Sequence, residues 1–143
     1  MSIVSLVTGF ADSLLKLQEE FSEQNRFDVL EKDAAELGKA VIAEFLALTL
    51  SETDELIRNS GKRYGDYTIV RQAGRTLVTT VGDVTFRHTQ FRSRKDGSYH
   101  FLLDEMMKLP GHERLSEQAE AKILREAAKG SYQRAADQLR VRD

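Results

Sequence analysis

From Ile3 to about Asn59 the apolar residues fall at three- and four-residue steps, a period that commits the first 60 residues to long amphipathic helices. Ile3, Leu6, Val7, Phe10, Leu14, Leu17 and Phe21 line one face of a first helix whose other face is polar and acidic. The chain breaks at Asn25-Arg26-Phe27-Asp28, where Asp28 is the expected N-cap of a second helix carrying Leu30, Ala34, Leu37, Val41, Phe45 and Leu48. That helix would span roughly 45 Å at ~1.5 Å per residue, with Ser51 a candidate break. Two such helices joined by a tight turn make an α-hairpin, which has more apolar surface than it can cover by itself.

The character then changes. Gly61, Gly65, Gly74, Gly82, Gly97, Gly111 and Gly130 each stand where a periodic segment ends, and between them lie the β-rich runs Tyr67 to Gln72, Thr76 to Val81, Val84 to Phe91 and Ser98 to Leu103. Gly82-Asp83 and Asp96-Gly97 read as two-residue hairpin turns, because primed turns need positive φ. The expectation is an antiparallel meander of three strands, four if Tyr67 to Gln72 is separate. On the third run Val84, Phe86, His88 and Gln90 point one way and Thr85, Arg87, Thr89 and Phe91 the other, so neither face is cleanly apolar. One face is assigned to the helices, the other to arginines and threonines, with the charged tip Ser93 to Ser98 projecting from the sheet.

After Pro110-Gly111 a helix is expected from the N-cap Ser116 through Ile123, Leu124, Ala127 and Ala128 to a stop at Gly130, and a second from Ser131 through Leu139. The fold class is therefore α+β in three parts: an acidic helical hairpin over 1–60, a β-meander over 61–109 and a C-terminal helix pair over 110–143.

Charge follows the same division. Four basic residues face twelve acidic ones up to Ile57, nine face three from Arg58 to His100, and there are eight of each after it. The near-neutral total of −2 thus conceals a basic segment of the sort that binds phosphate backbones. Zero cysteines exclude disulfides and thiolate-held zinc or iron–sulfur clusters and fit a reducing cytoplasm, the expected location. MSIVSLVTGF carries no basic n-region and reads as helix, and no apolar run reaches the ~20 residues that cross a bilayer.

Ser131-Tyr132-Gln133-Arg134-Ala135-Ala136-Asp137-Gln138-Leu139 reads like the first two-thirds of a helix-turn-helix, with no recognition helix after it. Read together, Thr76 to Arg87, Lys95 to Glu105, Leu109-Pro110 and Arg114-Leu115-Ser116 resemble the N-terminal region of the Lre-type insertion-sequence transposases, long carried as an uncharacterised bacterial family. The resemblance runs from about Arg75 to Leu139 and lies in order and spacing. It implies an N-terminal helical region, a β-hairpin module and a helix-turn-helix, followed by a ribonuclease-H-like catalytic domain with three metal-holding carboxylates. That domain would lie beyond Asp143, so the chain is expected to be a cut-down form or remnant reading frame, unable to transpose by itself. Distant transposases carry zinc-binding cysteine pairs at the hairpin tips. Ser93 and Ser98 stand there instead, and no zinc is expected.

Arg87, Arg92, Arg94 and Lys95 are the candidate phosphate contacts of the meander, and Tyr132, Gln133, Arg134 and Arg140 those of the C-terminal helix. The bland alternative for the first group is a charged, aggregation-resistant sheet edge, and for the second a plain packed helix. Asp104 and Glu105, with His100 nearby, invite acid–base or metal chemistry, but adjacent side chains diverge and both suit the first turn of a short helix. His88, His100 and His112 lack ligand spacing, and no serine sits in a nucleophile elbow. The chain is therefore expected to be non-catalytic and to need no cofactor or metal. Its partners would be DNA and a second copy joined through the N-terminal helices. An interaction module without a nucleic-acid role is the alternative.

Overall fold

The computed structural model describes residues 2–111 and 116–142, with the backbone alone at 62–64, 131–132 and 135–142. Helix α1, Ile3–Gln24, starts at Ser2, whose hydroxyl accepts the Ser5 amide at 3.2 Å. It ends at Asn25, which takes the left-handed conformation (φ 53°) and donates its amide to the Phe21 carbonyl. Helix α2, Phe27–Arg58, returns antiparallel after this two-residue turn. Its N-cap is Arg26, with no side-chain cap bond, rather than Asp28. Asp28 stands inside the first turn, where its carboxylate suits the helix dipole and meets Arg26 at 3.1 Å. Nor does α2 break at Ser51. The Thr49 and Thr53 hydroxyls bond back to the carbonyls of Phe45 and Thr49, and the flanking Leu50 and Asp54 are both held in the packed interior.

A six-residue helix α3, Gly61–Asp66, leads into a three-stranded antiparallel sheet, order β1-β2-β3, of Tyr67–Thr79, Gly82–Ser93 and Tyr99–Phe101. The first two expected runs are one strand. Gly74 does not turn the chain but pairs with Arg87 in the ladder, and the irregularity in β1 is a bulge between Ile69 and Arg71. The β1–β2 turn is Thr80-Val81, not Gly82-Asp83: Thr79 pairs with Gly82, and Gly82, at φ 116°, lies just past it. The second connection is five residues, Arg94 to Ser98, with Gly97 at φ 74°. Helix α4, Leu102–Met106, follows, and then α5, Glu117–Arg142. Ser116 caps α5 by accepting the Ala119 amide at 3.1 Å. α5 runs through Gly130 without interruption, so the expected break and the half helix-turn-helix are not formed, and the C-terminal helices are α4 and α5. A lone glycine costs a helix only about 1 kcal/mol and does not end it unless the chain turns there.

The core lies where α2 and α4 meet the sheet: Leu50, Leu77, Val84, Phe86 and Leu103, with Ala43, Leu46, Ala47, Ile57 and Leu109 against them. Along β2 burial follows the even positions Val84, Phe86 and His88, and then Thr89 and Phe91 of the other set are buried too. The change comes at Thr89, one residue past the last β2–β3 pair, Gln90 with Phe101. There Asp54 of α2, 1% exposed, accepts the Thr89 amide at 2.9 Å and the Thr89 hydroxyl at 2.7 Å. Arg58 sits one turn on, 3.5 Å from the same carboxylate. A helix carboxylate thus continues the hydrogen bonding where β3 has stopped.

Among the described residues no helix is long and apolar enough to cross a membrane. Asp54→Ala leaves a buried amide and hydroxyl without their acceptor and is expected to cost about 2–4 kcal/mol in denaturant unfolding. Thr89→Val removes only the hydroxyl and should cost about 1 kcal/mol. Equal stability of Asp54→Ala and the parent would refute this role for the carboxylate.

Candidate nucleic-acid interface

The basic tip between β2 and β3 is built by short-range hydrogen bonds. The Ser93 amide donates to the Ser98 carbonyl at 2.8 Å, and the Gly97 amide to the Ser93 carbonyl at 2.9 Å. The Lys95 amide donates to the Ser93 hydroxyl at 3.2 Å, and the Asp96 carboxylate accepts both the Ser98 amide (3.0 Å) and the Ser98 hydroxyl (2.6 Å). These bonds, the Ser98 hydroxyl foremost, hold the Asp96 carboxyl down from its ordinary 3.8 to about 2. The Arg94 amide donates to the carbonyl of Asp66, so the tip is tied to the end of α3.

Arg92 lies over the Tyr99 ring, its guanidinium carbon 5.7 Å from the centroid, and a Cβ on Gly97 would stand 3.4 Å from that guanidinium. Arg94 and Lys95 are exposed at the end of the loop. Three cations and one exposed aromatic ring therefore share the tip with one carboxylate, the exposed Asp96, which is hydrogen-bonded to Ser98.

The other expected contacts lie elsewhere. Arg87 is five residues back along β2, about 17 Å away and on the opposite side of the pleat. It borders a surface cleft with Gln72 and the α2 acids Glu52 and Glu55, and does not extend the basic tip. Gln133 and Arg134 are exposed on α5, where Arg134 donates to the Gly130 carbonyl at 3.2 Å. The side chains of Tyr132 and Arg140, like His112, lie outside the described residues. The start of α5 is fixed to β1 through the Ser116 amide on the Val78 carbonyl, 2.9 Å. Val78 pairs with Asp83 beside the Thr80-Val81 turn, so α5 springs from the end of the sheet opposite the tip.

Asp104 and Glu105 diverge as adjacent residues must, and each meets a different histidine. Asp104 takes Arg75 at 2.7 Å and His88 at 2.9 Å, while Arg75 also donates to the Pro110 carbonyl. His88 is stacked on Phe101, centroids 3.9 Å apart, with its edge toward Phe86. This set clamps α4 and the Pro110 segment to β1 and β2. Glu105 accepts from His100 at 2.7 Å, and His100 reaches the Ser98 hydroxyl at 2.6 Å. Sequence spacing gave no sign of this Ser98–His100–Glu105 chain, which has the order of a nucleophile, base and acid. Here the Ser98 hydroxyl and amide are both turned to Asp96, and the chain braces the tip against α4. Among the described residues no three histidine, aspartate or glutamate side chains are gathered as metal ligands.

The Asp96 bonds carry a pH dependence. A carboxyl with a depressed folded-state value stabilises the loop fully above its ordinary 3.8 and loses that effect as pH falls through about 2. An NMR titration should place the Asp96 midpoint near 2, and Ser98→Ala should move it back toward 3.8. A midpoint unchanged by that substitution would contradict the hydrogen bonding described.

A family model described as an uncharacterised protein family (UPF0236) matches residues 21–143. One UPF0236 protein of Caldanaerobacter subterraneus subsp. tengcongensis is 26% identical over 102 residues, covering 71% of this chain and 22% of its own length. A second from the same organism is 26% identical over 99 residues, 69% of this chain and 21% of that protein. The chain thus spans about a fifth of the length of the curated relatives it matches. No solved structure matches it. With the family model covering the helix α2, the whole sheet and both C-terminal helices, the chain belongs to the UPF0236 family.

Proposed function

We propose that this chain is a DNA-contacting and assembly portion of a longer, transposase-like protein, and that it contributes positioning rather than catalysis. The observation that carries the proposal is the tip: Arg92, Arg94 and Lys95 within four residues, with Tyr99 beneath Arg92 and the Asp96 carboxylate hydrogen-bonded to Ser98. A narrow hairpin end with cations at its rim suits a phosphate backbone, and an exposed ring adds a stacking surface. Arg94 and Lys95 supply charge, while Arg92, lying over the Tyr99 ring, supplies a planar fork. Support for the transposase link comes from the resemblance over Arg75 to Leu139 and from relatives about five times longer than the matched segment. A protein that meets chromosomal DNA works in the cytoplasm of a bacterial cell.

The open apolar side of the helical hairpin favours a second reading, in which the chain is an interaction module and the tip is only a solvated surface. Fluorescence anisotropy with duplex DNA separates the two. Three phosphate contacts predict binding that falls with salt at a log–log slope of about −3. Replacing Arg92, Arg94 and Lys95 together by Glu should abolish it, whereas Arg87→Glu, seated among the α2 acids, should change it less than threefold. No binding at tens of micromolar and low salt would leave the interaction module.

A further inference from the structure

The α1–α2 hairpin has two apolar seams, and only one is covered. Leu6, Phe10, Leu17 and Phe21 of α1 pack toward α2, with Leu6 buried and the other three half-buried. A quarter turn around α1 stand Val4, Val7, Ala11 and Leu14, alternating by three and four residues in a heptad rhythm, with Leu15 beside them. Val4 is 73% exposed, Val7 60% and Leu15 57%. On α2, Phe27, Ile42 and Phe45 are exposed as well, at 66%, 47% and 43%. A groove of about 670 Å³ runs between Ala11, Leu14 and Leu15 of α1 and Leu30 and Ala34 of α2.

We propose that a second copy of this chain covers that face, the two hairpins closing into a four-helix bundle. This gives the assembly part of the proposed function a surface and a partner, and rests on it. Val4, Val7, Leu14, Leu15, Phe27, Ile42 and Phe45 together present on the order of 700 Å², beyond the ~300–600 Å² patch of a typical monomer and near the ~800 Å² per partner of a stable interface. The acids of α1, Asp12, Glu19, Glu20 and Glu23, fall a quarter turn or more from the centre of the open seam, so on this helix the seam carries no charge, while on α2 the exposed Glu31 shares the face with Phe27, Gly38 and Ile42. Small and bulky residues alternate along the face, Ala11 beside Leu14 and Gly38 beside Ile42, the pattern by which a surface fits its own two-fold image. The other long helix, α5, starts against β1 and so does not supply the cover from its anchored end.

Light scattering should give twice the 16.2 kDa chain mass at tens of micromolar. The double variant Val7→Glu, Leu14→Glu should halve that mass, and Lys16→Glu, on the far side of α1, should not. Because two carboxylates on one helix can also disturb folding, single thiols provide a second measure in this cysteine-free chain. Oxidation should link Val7→Cys, Ala11→Cys or Leu14→Cys variants into dimers and leave Lys16→Cys unlinked. A monomer at several hundred micromolar overturns the proposal. So does a dimer that survives the double variant with none of the three seam thiols linked. DNA binding by the tip is measured independently, so either part can fail alone.

Discussion

The carboxylate of Asp54 on the edge of β2 fixes how the two halves of this chain meet. β3 offers only three residues, so beyond Gln90 the central strand would present unpaired backbone to whatever lies beside it. A second long strand would be one way to satisfy that edge, and the chain uses a helix side chain instead. Burying a carboxylate is costly, and here two hydrogen bonds from Thr89 and the Arg58 guanidinium offset the cost. α2 then has one allowed height and rotation against the sheet, with Leu50 on the core and Ile57 packed close by. The Arg75–Asp104–His88 set performs the same service for α4, so the sheet is gripped by a carboxylate from each flanking helix.

That fixed geometry gives the charge segregation a spatial meaning. From Asp54 back to Phe27 is 27 residues of helix, about 40 Å, several Debye lengths at physiological salt. The tip, in contrast, is bonded to Asp66 just past the other end of α2. Most of the acidic block is therefore carried away from the basic loop, and the two ends of the molecule can meet partners of opposite charge without cancelling each other.

What the sequence made legible was local. The α-hairpin, the antiparallel sheet, the Ser116 cap and the glycine at 97 follow from periods and turn chemistry that act within a few residues. Glycine was the weak signal. Gly82 and Gly97 hold positive φ and sit at turns, but Gly74 pairs inside a strand and Gly130 lies inside a helix, where glycine's freedom is permitted but not used. The pairs that hold the fold were out of reach for a different reason. Asp54 and Thr89 are 35 residues apart, and Arg75 and Asp104 are 29 apart; no spacing rule joins them. The same limit divided the candidate site. Arg92, Arg94 and Lys95 are sequence neighbours and are brought together, whereas Arg87, close in the chain, is carried by the pleat to a surface shared with acids.

The tip and the open seam bear on each other through number. Three cations on one hairpin are a weak grip on nucleic acid, in the range where nonspecific contacts fall to ~10⁻⁴–10⁻⁶ M or weaker at physiological salt. The proposed bundle of two hairpins would carry two tips at a spacing set by α2, because Asp54 locks each helix to its own sheet. The second contact would then form at the effective concentration of a tethered group, and affinity would rise without any new residue at the tip. On this proposal a helical face far from the tip would decide how strongly a separate basic loop holds its ligand. The rigid joint at Thr89 would then let one end of the molecule act on the other.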